Sequence, residues 1–349
     1  MKALVLRDVG KINIEDVQKP ELKPGEVLVK VKACGVCGSD IPRAYKDGAH
    51  NMPLIIGHEL AGEVTEVGKE VEEKWLGKRV GVFPLVPCMN CQCCKIRKYE
   101  MCKNYSYLGS RRDGGFGEYV AVPQWNLIEL PEKVDYSVAA MLEPMAVAVH
   151  AIRRVNPTSE EKVAVMGLGT IGLFVTMFLK DMGIKNVYTI GNKEFQKKKV
   201  VELGIEEDHY CDIKSQDVNS WIEEKTAGLG VDVFFECVGK QESYQAAVDL
   251  VTPLGRVCLV GNPASDMSLD RNIYWKILRN QLTVTGTWNS SFTHKKDDDW
   301  HYVLDRLQQG NIKPEGFITQ RYNLENIIEG FQLMRDKKED YIKVMAVEF

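Results

Sequence analysis

Gly167-Leu168-Gly169-Thr170-Ile171-Gly172 stands between KVAVM, a short apolar run of buried-strand type, and IGLFVTMFLKDMG, which reads as a helix ending at Gly183. A G-x-G-x-x-G spacing alone is weak. Between a strand and a helix it dictates a tight turn whose backbone N–H groups face an anion. Gly167 permits the turn, Gly169 lets the backbone approach a pyrophosphate, and Gly172 lets helix and strand pack closely; Leu168, Thr170 and Ile171 complete the cofactor turn. The grammar then repeats. NVYTIG reads as strand, EFQKKKVVELG as helix, VDVFFECVG as strand, SYQAAVDLVTPLG as helix, and RVCLVGN and LTVTGTW as strands. Strands alternating with helices of ~10–15 residues require a parallel sheet of βαβ units.

The residue about 20 positions beyond such a turn selects between the two nicotinamide dinucleotides. An acid there would bond the ribose 2′-OH and repel a 2′-phosphate. The chain has Gly191-Asn192-Lys193 instead, with no acid before Glu194, and Lys197 and Lys198 a helical turn beyond. A missing carboxylate and an added cation favour NADP(H). The alternative is NAD(H) held through Asn192, with Lys193 only opening a helix.

Five of the ten cysteines, Cys88, Cys91, Cys93, Cys94 and Cys102, fall within fifteen positions. Without a secretion signal, such clusters read as metal ligands rather than disulfides. Cys88-x2-Cys91-x2-Cys94-x7-Cys102 supplies four thiolates from one loop, the donor set of a closed structural zinc site, and the regular spacing leaves Cys93 a bystander. The scattered Cys211, Cys237 and Cys258 read as small buried hydrophobes. A second set comprises Cys37 in ACGVCGSD, His58 and Glu59 in GHELAGEVTEVG, and Glu143 in LEPMAV. Thiolate, imidazole and carboxylate are the mixed donors of a catalytic zinc with one open coordination place, though spacing alone cannot join these positions. Ser39, two residues after Cys37, is a candidate proton relay or an ordinary turn hydroxyl.

The first ~145 residues carry short β-like runs (LVLRDV, EVLVKVKACGV, GEVTEV, RVGVFP, EYVAV, LIEL) among Gly and Pro, an all-β region with irregular loops. After Trp288 a polar stretch leads into helix-like WHYVLDRLQQG and NLENIIEGFQLMRD and a last strand, YIKVMAVEF, read as packing back onto the first region. With 45 Lys+Arg against 49 Asp+Glu in 349 residues, the net charge of −4 argues against nucleic acid or a membrane surface as partner. No apolar run reaches the ~20 residues of a membrane span. MKALVLRDVGKINIEDV also lacks the grammar of a signal peptide, so a cytoplasmic location is expected.

GHELAGEVTEVGKEV, fitting G-H-E-x2-G-x5-G-x2-V, the four-cysteine lobe and GLGTIG together resemble the zinc-dependent medium-chain dehydrogenase/reductase superfamily, essentially from end to end. Glu143 of LEP, where alcohol dehydrogenases hold a Cys, is similar to the polyol-dehydrogenase branch. CGSDIPRAYKDGAHNMPLIIGHELAG and YLGSRRDGGFGEY resemble the galactitol-1-phosphate 5-dehydrogenases of that branch. The resemblance implies an α/β plus β architecture: a GroES-like catalytic domain with the zinc lobe (1–150), a Rossmann domain (151–289) and a C-terminal return to the first (290–349). It implies a catalytic zinc on Cys37, His58 and Glu143, with Glu59 a further ligand or a neighbour of the ligands, and so two Zn2+ per chain. The implied reaction is hydride transfer between the secondary alcohol of a sugar-alcohol phosphate and NAD(P). A pentitol phosphate, a free polyol or threonine are alternative substrates, and a non-enzymatic nucleotide-binding protein is the remote alternative. Arg43, Lys46 and His50 in PRAYKDGAH and the pair Arg111-Arg112 are candidate phosphate partners. A homodimer or homotetramer is expected, with LTVTGTW at a twofold interface. One departure stands out: Gly191 occupies a position that is acidic in the galactitol-phosphate enzymes.

Overall fold

The computed structural model describes every residue of the chain except 264. In chain order the first stretch builds β1 (Lys2–Asp8), β2 (Lys11–Asp16), β3 (Glu26–Val36), α1 (Asp40–Pro42), β4 (Leu54–Ile55), β5 (Glu59–Val67), β6 (Arg79–Val82) and β7 (Leu85–Val86). It continues through α2 (Gln92–Lys95), β8 (Ser106–Tyr107), β9 (Tyr119–Pro123), β10 (Leu127–Glu129), α3 (Tyr136–Ala140) and α4 (Leu142–Val155). The alternating region gives β11 (Lys162–Met166), α5 (Thr170–Asp181), β12 (Asn186–Gly191), α6 (Glu194–Glu202), β13 (Tyr210–Asp212), α7 (Val218–Thr226) and β14 (Val231–Glu236). Then follow α8 (Gln241–Asp249), β15 (Val251–Leu259), α9 (Arg271–Arg279) and β16 (Thr283–Gly286), before a last segment of α10 (Asp299–Gln308), β17 (Ile318–Asn323), α11 (Ile327–Asp336) and β18 (Lys343–Glu348). Two units result: Met1–Pro144 with Ser291–Phe349, and Met145–Ser290.

In the first unit, β3 is the hub. Its sequence, EVLVKVKACGV, is apolar apart from Glu26, Lys30 and Lys32, and nine of its eleven residues are buried, all but the two lysines. β5 runs antiparallel along one edge from Val27 to Gly35, while β9 pairs with residues 26–30 and β18 with residues 34–36. Register shifts after Leu28 and Val31 bend the strand. Val29, Val31, Leu60, Val82, Phe116 and Val344 fill the core beneath it, and Phe331 of α11 meets Phe116 edge-on with ring centres 5.5 Å apart. Through β18 the last segment of the chain becomes part of the sheet that the first segment begins.

The second unit is one sheet in the order β13-β12-β11-β14-β15-β16, with every neighbouring pair parallel. That is the doubly wound 3-2-1-4-5-6 arrangement, which reverses direction between β11 and β14 and places its ligand crevice at the carboxyl ends there. The glycine turn follows β11 directly. Gly167 has φ of +96°, and a Cβ there would sit 2.6 Å from Val238 Cγ2. A Cβ on Gly172 would run into the Gly167 carbonyl. One expected helix is corrected. SYQAAVDLVTPLG is helical only through Asp249; Val251 to Leu259 form β15. Val251 and Thr252 are β-branched and Pro253 lacks an N–H, so the helix cannot continue. The extra residues are absorbed where Val251 pairs with Val231 and Arg256 with Val233.

Among the described residues no helix is long and apolar enough to cross a membrane. Gly172→Ala should overpack the turn between β11 and α5 and cost about 1–3 kcal/mol, read as a lower urea midpoint. An unchanged midpoint would mean that the turn has room to give.

Candidate metal centres and cofactor turn

Cys37 follows the last residue of β3, and a tight turn holds it there. The Asp40 N–H donates to the Cys37 carbonyl at 3.0 Å, and the Cys37 N–H donates to Asp40 Oδ2 at 3.0 Å. The Ser39 hydroxyl donates to Cys37 Sγ at 3.3 Å and is itself exposed. His58 and Glu59 arrive from the other side, at the start of β5. Gly57, with φ of +100°, bends the chain where a Cβ would lie 2.5 Å from the Phe116 ring. Gly35, paired with Glu59 across the β3–β5 ladder, leaves the space that the Glu59 carboxylate fills. Cys37 Sγ, a His58 ring nitrogen and a Glu59 oxygen then lie within 4.8 Å of one another.

The charges around this set are buried and matched. Asp40 is fully buried, takes a charged hydrogen bond from Arg43, and lies 3.4 Å from His58 Nδ1. Burial alone would raise the Asp40 pKa, but His58 and Arg43 outweigh it and hold the carboxyl below its usual range. Burial would likewise depress His58, yet Asp40 and the Cys37 thiolate keep it well above the usual histidine value. Lys343, the first residue of β18, reaches both Glu59 oxygens at 2.8 and 2.6 Å and the Val36 carbonyl at 3.2 Å. It is 3% exposed and Glu59 1%. Glu143 stands in the first turn of α4, outside the set of three among the described residues. Its Oε1 accepts from the Tyr107 hydroxyl at 3.3 Å, and burial pushes its pKa up to about 7. The nearby His58 opposes that shift and Glu59 adds to it. The structure thus brings Cys37, His58 and Glu59 together, with Glu143 as a neighbour.

The lobe cysteines make a tighter group. Sγ separations are 3.5 Å for Cys91–Cys94, 3.9 Å for Cys91–Cys102 and 4.0 Å for Cys88–Cys94. A tetrahedral ion with sulfur ligands at ~2.3 Å has edges of about 3.8 Å, so this set fits zinc closely. Backbone N–H groups of Cys94 and Lys103 pull Cys91 down to about 6, whereas burial and its neighbours Cys91 and Cys102 push Cys94 up to about 12. Cys93 lies outside the group among the described residues. The Cys37, His58 and Glu59 set offers sulfur, nitrogen and oxygen, which also fits zinc.

In the second unit Gly169 caps α5 with no side-chain cap, and a Cβ there would meet nothing within 4 Å. The open ground before an uncapped helix N-terminus suits a pyrophosphate. Gly191 ends β12, and its missing Cβ is replaced by Gln196 Oε1 and the Tyr210 hydroxyl, 2.7 and 2.9 Å from where it would be. Gln196 accepts from the Asn192 N–H at 3.0 Å and donates to the Leu168 carbonyl at 3.0 Å. The Tyr210 hydroxyl accepts from the Lys193 N–H at 3.2 Å and donates to its carbonyl at 3.0 Å. Lys193 opens α6, with its Nζ 5.5 Å from the Phe195 ring centre. Lys197 pairs with Glu207 at 3.1 Å instead of adding to the field at the turn.

Sequence reading missed Asp40, Tyr107, Lys343, Gln196 and Tyr210. Asp40, three residues from Cys37 in CGSD, had a local signal; Lys343, 284 residues from Glu59, had none. Removing Lys343 would leave a buried carboxylate without its partner. In metal-free protein Lys343→Met should lose about 3–5 kcal/mol of unfolding free energy, and adding Glu59→Gln should recover most of it. A loss under about 1 kcal/mol in urea denaturation would show that the pair is not holding the strands.

Comparison with known proteins bears on the whole chain. Residues 23–132 match the alcohol dehydrogenase GroES-like domain family and residues 170–309 the zinc-binding dehydrogenase family. Galactitol 1-phosphate 5-dehydrogenase of Escherichia coli K12 is 30% identical over 94% of this chain and 95% of its own. Sorbitol dehydrogenase of Bacillus subtilis 168 is 30% identical over 99% and 97%. L-threonine 3-dehydrogenase of Pyrococcus abyssi is 32% identical over 95% and 94%. Among solved structures, E. coli galactitol-1-phosphate dehydrogenase superposes with a TM-score of 0.92 at 29% identity, covering 99% of this chain and 100% of that one. A zinc-binding dehydrogenase of Sinorhizobium meliloti 1021, bound to NADP, gives 0.89 at 27%, covering 99% and 98%. An alcohol dehydrogenase (rspB) of E. coli CFT073, complexed with NADH, gives 0.90 at 30%, covering 99% of each. With both halves matched and the relatives covered almost end to end, the chain belongs to the zinc-dependent medium-chain dehydrogenase/reductase family, the NAD(P)-dependent oxidoreductases of CH–OH groups.

Proposed function

We propose that this chain oxidises the secondary alcohol of a sugar-alcohol phosphate, or reduces the matching ketone, using NADP(H) and a catalytic zinc. The observation that carries the reading is the meeting of Cys37, His58 and Glu59 at the end of β3. Those three residues would hold the catalytic zinc, and Cys88, Cys91, Cys94 and Cys102 a structural one. Residues 167–172 and 191–193 would hold the nucleotide. When bound, zinc supplies a Lewis acid for the alcohol oxygen and the nicotinamide an acceptor for the hydride.

The chain's own residues do the rest. Asp40 anchors the turn that carries Cys37 and faces His58 with a compensating charge. Lys343 holds the Glu59 carboxylate by both oxygens and so limits how far it can swing. Ser39, exposed and hydrogen-bonded to Cys37 Sγ, can pass the alcohol proton to solvent. Glu143, with a pKa near 7 and a hydroxyl partner in Tyr107, can take or give a proton at neutral pH. The relatives that act on sorbitol and threonine support a second reading, an unphosphorylated alcohol as substrate.

Association follows from the free edge of the second unit. β16 ends the sheet, and α9 beside it in sequence exposes Tyr274, Trp275 and Leu278. A second copy pairing across a twofold axis would cover such an edge. A solution mass of twice or four times 39.5 kDa is expected.

Turnover of phosphorylated and free polyols and threonine with both cofactors tests the reading. The highest kcat/KM is expected for a polyol phosphate with NADP+, and Lys193→Glu should shift the cofactor ratio toward NAD+ by roughly ten- to a hundredfold. A preference for NAD+ in the unmodified enzyme would defeat the cofactor choice. Metal analysis should find about two zincs per chain, falling to about one in Cys94→Ala. A value near one in the unmodified protein would defeat the catalytic zinc.

A further inference from the structure

Arg111 and Arg112 look alike in the sequence and differ in the fold. Arg112 donates from Nη2 to Glu26 Oε1 at 2.5 Å and to the Ala121 carbonyl at 3.4 Å, so its charge is already matched. Asp113, next along, accepts from the Ile55 N–H at 2.9 Å. These two residues fasten the loop after β8 to the sheet. Arg111 has no carboxylate within 4.0 Å among the described residues, and its buried Nε has no hydrogen-bond partner. Its guanidinium lies over the Tyr105 ring, 4.4 Å from the centre, and Asn51 Nδ2 fixes its backbone carbonyl at 3.0 Å. A stacked, backbone-pinned guanidinium that no carboxylate neutralises can receive an anion through its terminal N–H groups.

The stack also leads toward the metal residues. Separations of 4.4 Å from Arg111 to Tyr105, 6.2 Å from Tyr105 to Tyr107 and 5.7 Å from Tyr107 to His58 put the guanidinium at most about 16 Å from the imidazole. The Tyr107 hydroxyl on that path is bonded to Glu143. Arg43, closer to the centre, is committed to Asp40, while Lys46 and His50 are exposed. Beside the loop is a cavity of about 500 Å³ whose lining combines Lys23, Arg111 and Arg112 with Glu21, Glu26 and Asp113 and includes none of the metal residues; Glu26 is matched by Arg112 and Asp113 accepts from the Ile55 N–H, which leaves Arg111 its unneutralised cation beside the loop.

We infer that Arg111 receives the phosphomonoester end of the substrate while Arg112 braces the loop that presents it. The inference rests on the substrate reading proposed above. A polyol held by its alcohol at the metal residues and by its phosphate at Arg111 would be gripped at both ends, so chain length as well as charge would select it.

Steady-state kinetics on a hexitol phosphate and its free hexitol test this in the zinc-loaded enzyme. Arg111→Gln should raise KM for the phosphate ester ten- to a hundredfold more than KM for the free hexitol, and Arg111→Lys should recover part of the difference. Inorganic phosphate should compete with the hexitol phosphate in the unmodified enzyme and lose most of that effect in Arg111→Gln. Arg112→Gln should instead lower the melting temperature and move both KM values alike. If the phosphate ester is turned over but Arg111→Gln moves both KM values equally, the assignment of Arg111 is overturned and the substrate reading stands. If only unphosphorylated alcohols are turned over, both are overturned.

Discussion

Glu59 and Lys343 form an ion pair with almost no contact with water, and the candidate site is arranged around it. Neither charge could stay buried without the other, because desolvation costs several kcal/mol per ion and only a close, well-bonded partner offsets it. Lys343 opens β18, and β18 lies on β3 through Val344–Val36 and its neighbours. Pairing the last strand with the strand that ends at Cys37 is therefore what delivers the counter-charge to Glu59. The local charge follows from the same pair. Cys37 as thiolate, Glu59 and Asp40 bring three negative charges against Lys343 and Arg43, and Glu143 adds a further one when ionised. His58, held protonated by Asp40 and Cys37, balances that count; once it gives up its proton to serve as a ligand, one negative charge is left over, and a divalent cation would offset it.

The two proposed metal sites are built on opposite principles. The four lobe cysteines span fifteen positions, and their sulfurs converge through local turns and backbone N–H groups with little help from the sheet. Such a group is almost self-contained, and the four cysteines picked out by spacing are the four whose sulfurs lie together, with Cys93 outside them among the described residues. The Cys37 set depends on ladder register. Gly35 must face Glu59, and Gly57 must admit Phe116 where no side chain could. A slip of one residue between β3 and β5 would turn Glu59 to the other face of the sheet.

That contrast explains what could be read from the amino acids. The glycine turn was legible because Gly172 is demanded by the Gly167 carbonyl five residues before it and Gly167 by its own φ of +96°. The helix that was read through VTPLG was not legible, because the pairing of Val251 with Val231 competes with local propensity and wins. Tyr107 and Lys343 escaped notice since nothing near them in the chain marks them, and the Arg pair looked uniform because their partners, Glu26 and Tyr105, are set by the fold. Glu143 was placed among the ligands by resemblance, and its Oε1 stands against the Tyr107 hydroxyl, a partner the sequence did not mark.

The same reasoning links cofactor choice to packing in the second unit. Gly191 has no side chain because Gln196 and Tyr210 occupy the space, and those two groups pin the backbone of Asn192 and Lys193. An acid at position 191 would have to displace both, loosening the segment it was meant to serve. With a carboxylate excluded by packing, the proposed reading gives ribose recognition to the residue that opens the next helix, Lys193 at the N-terminus of α6. A cation added to the partial positive charge of a helix start favours an anion over a hydroxyl. On the proposed NADP(H) reading, the choice between a 2′-hydroxyl and a 2′-phosphate would rest on Gln196 and Tyr210, which need not touch either.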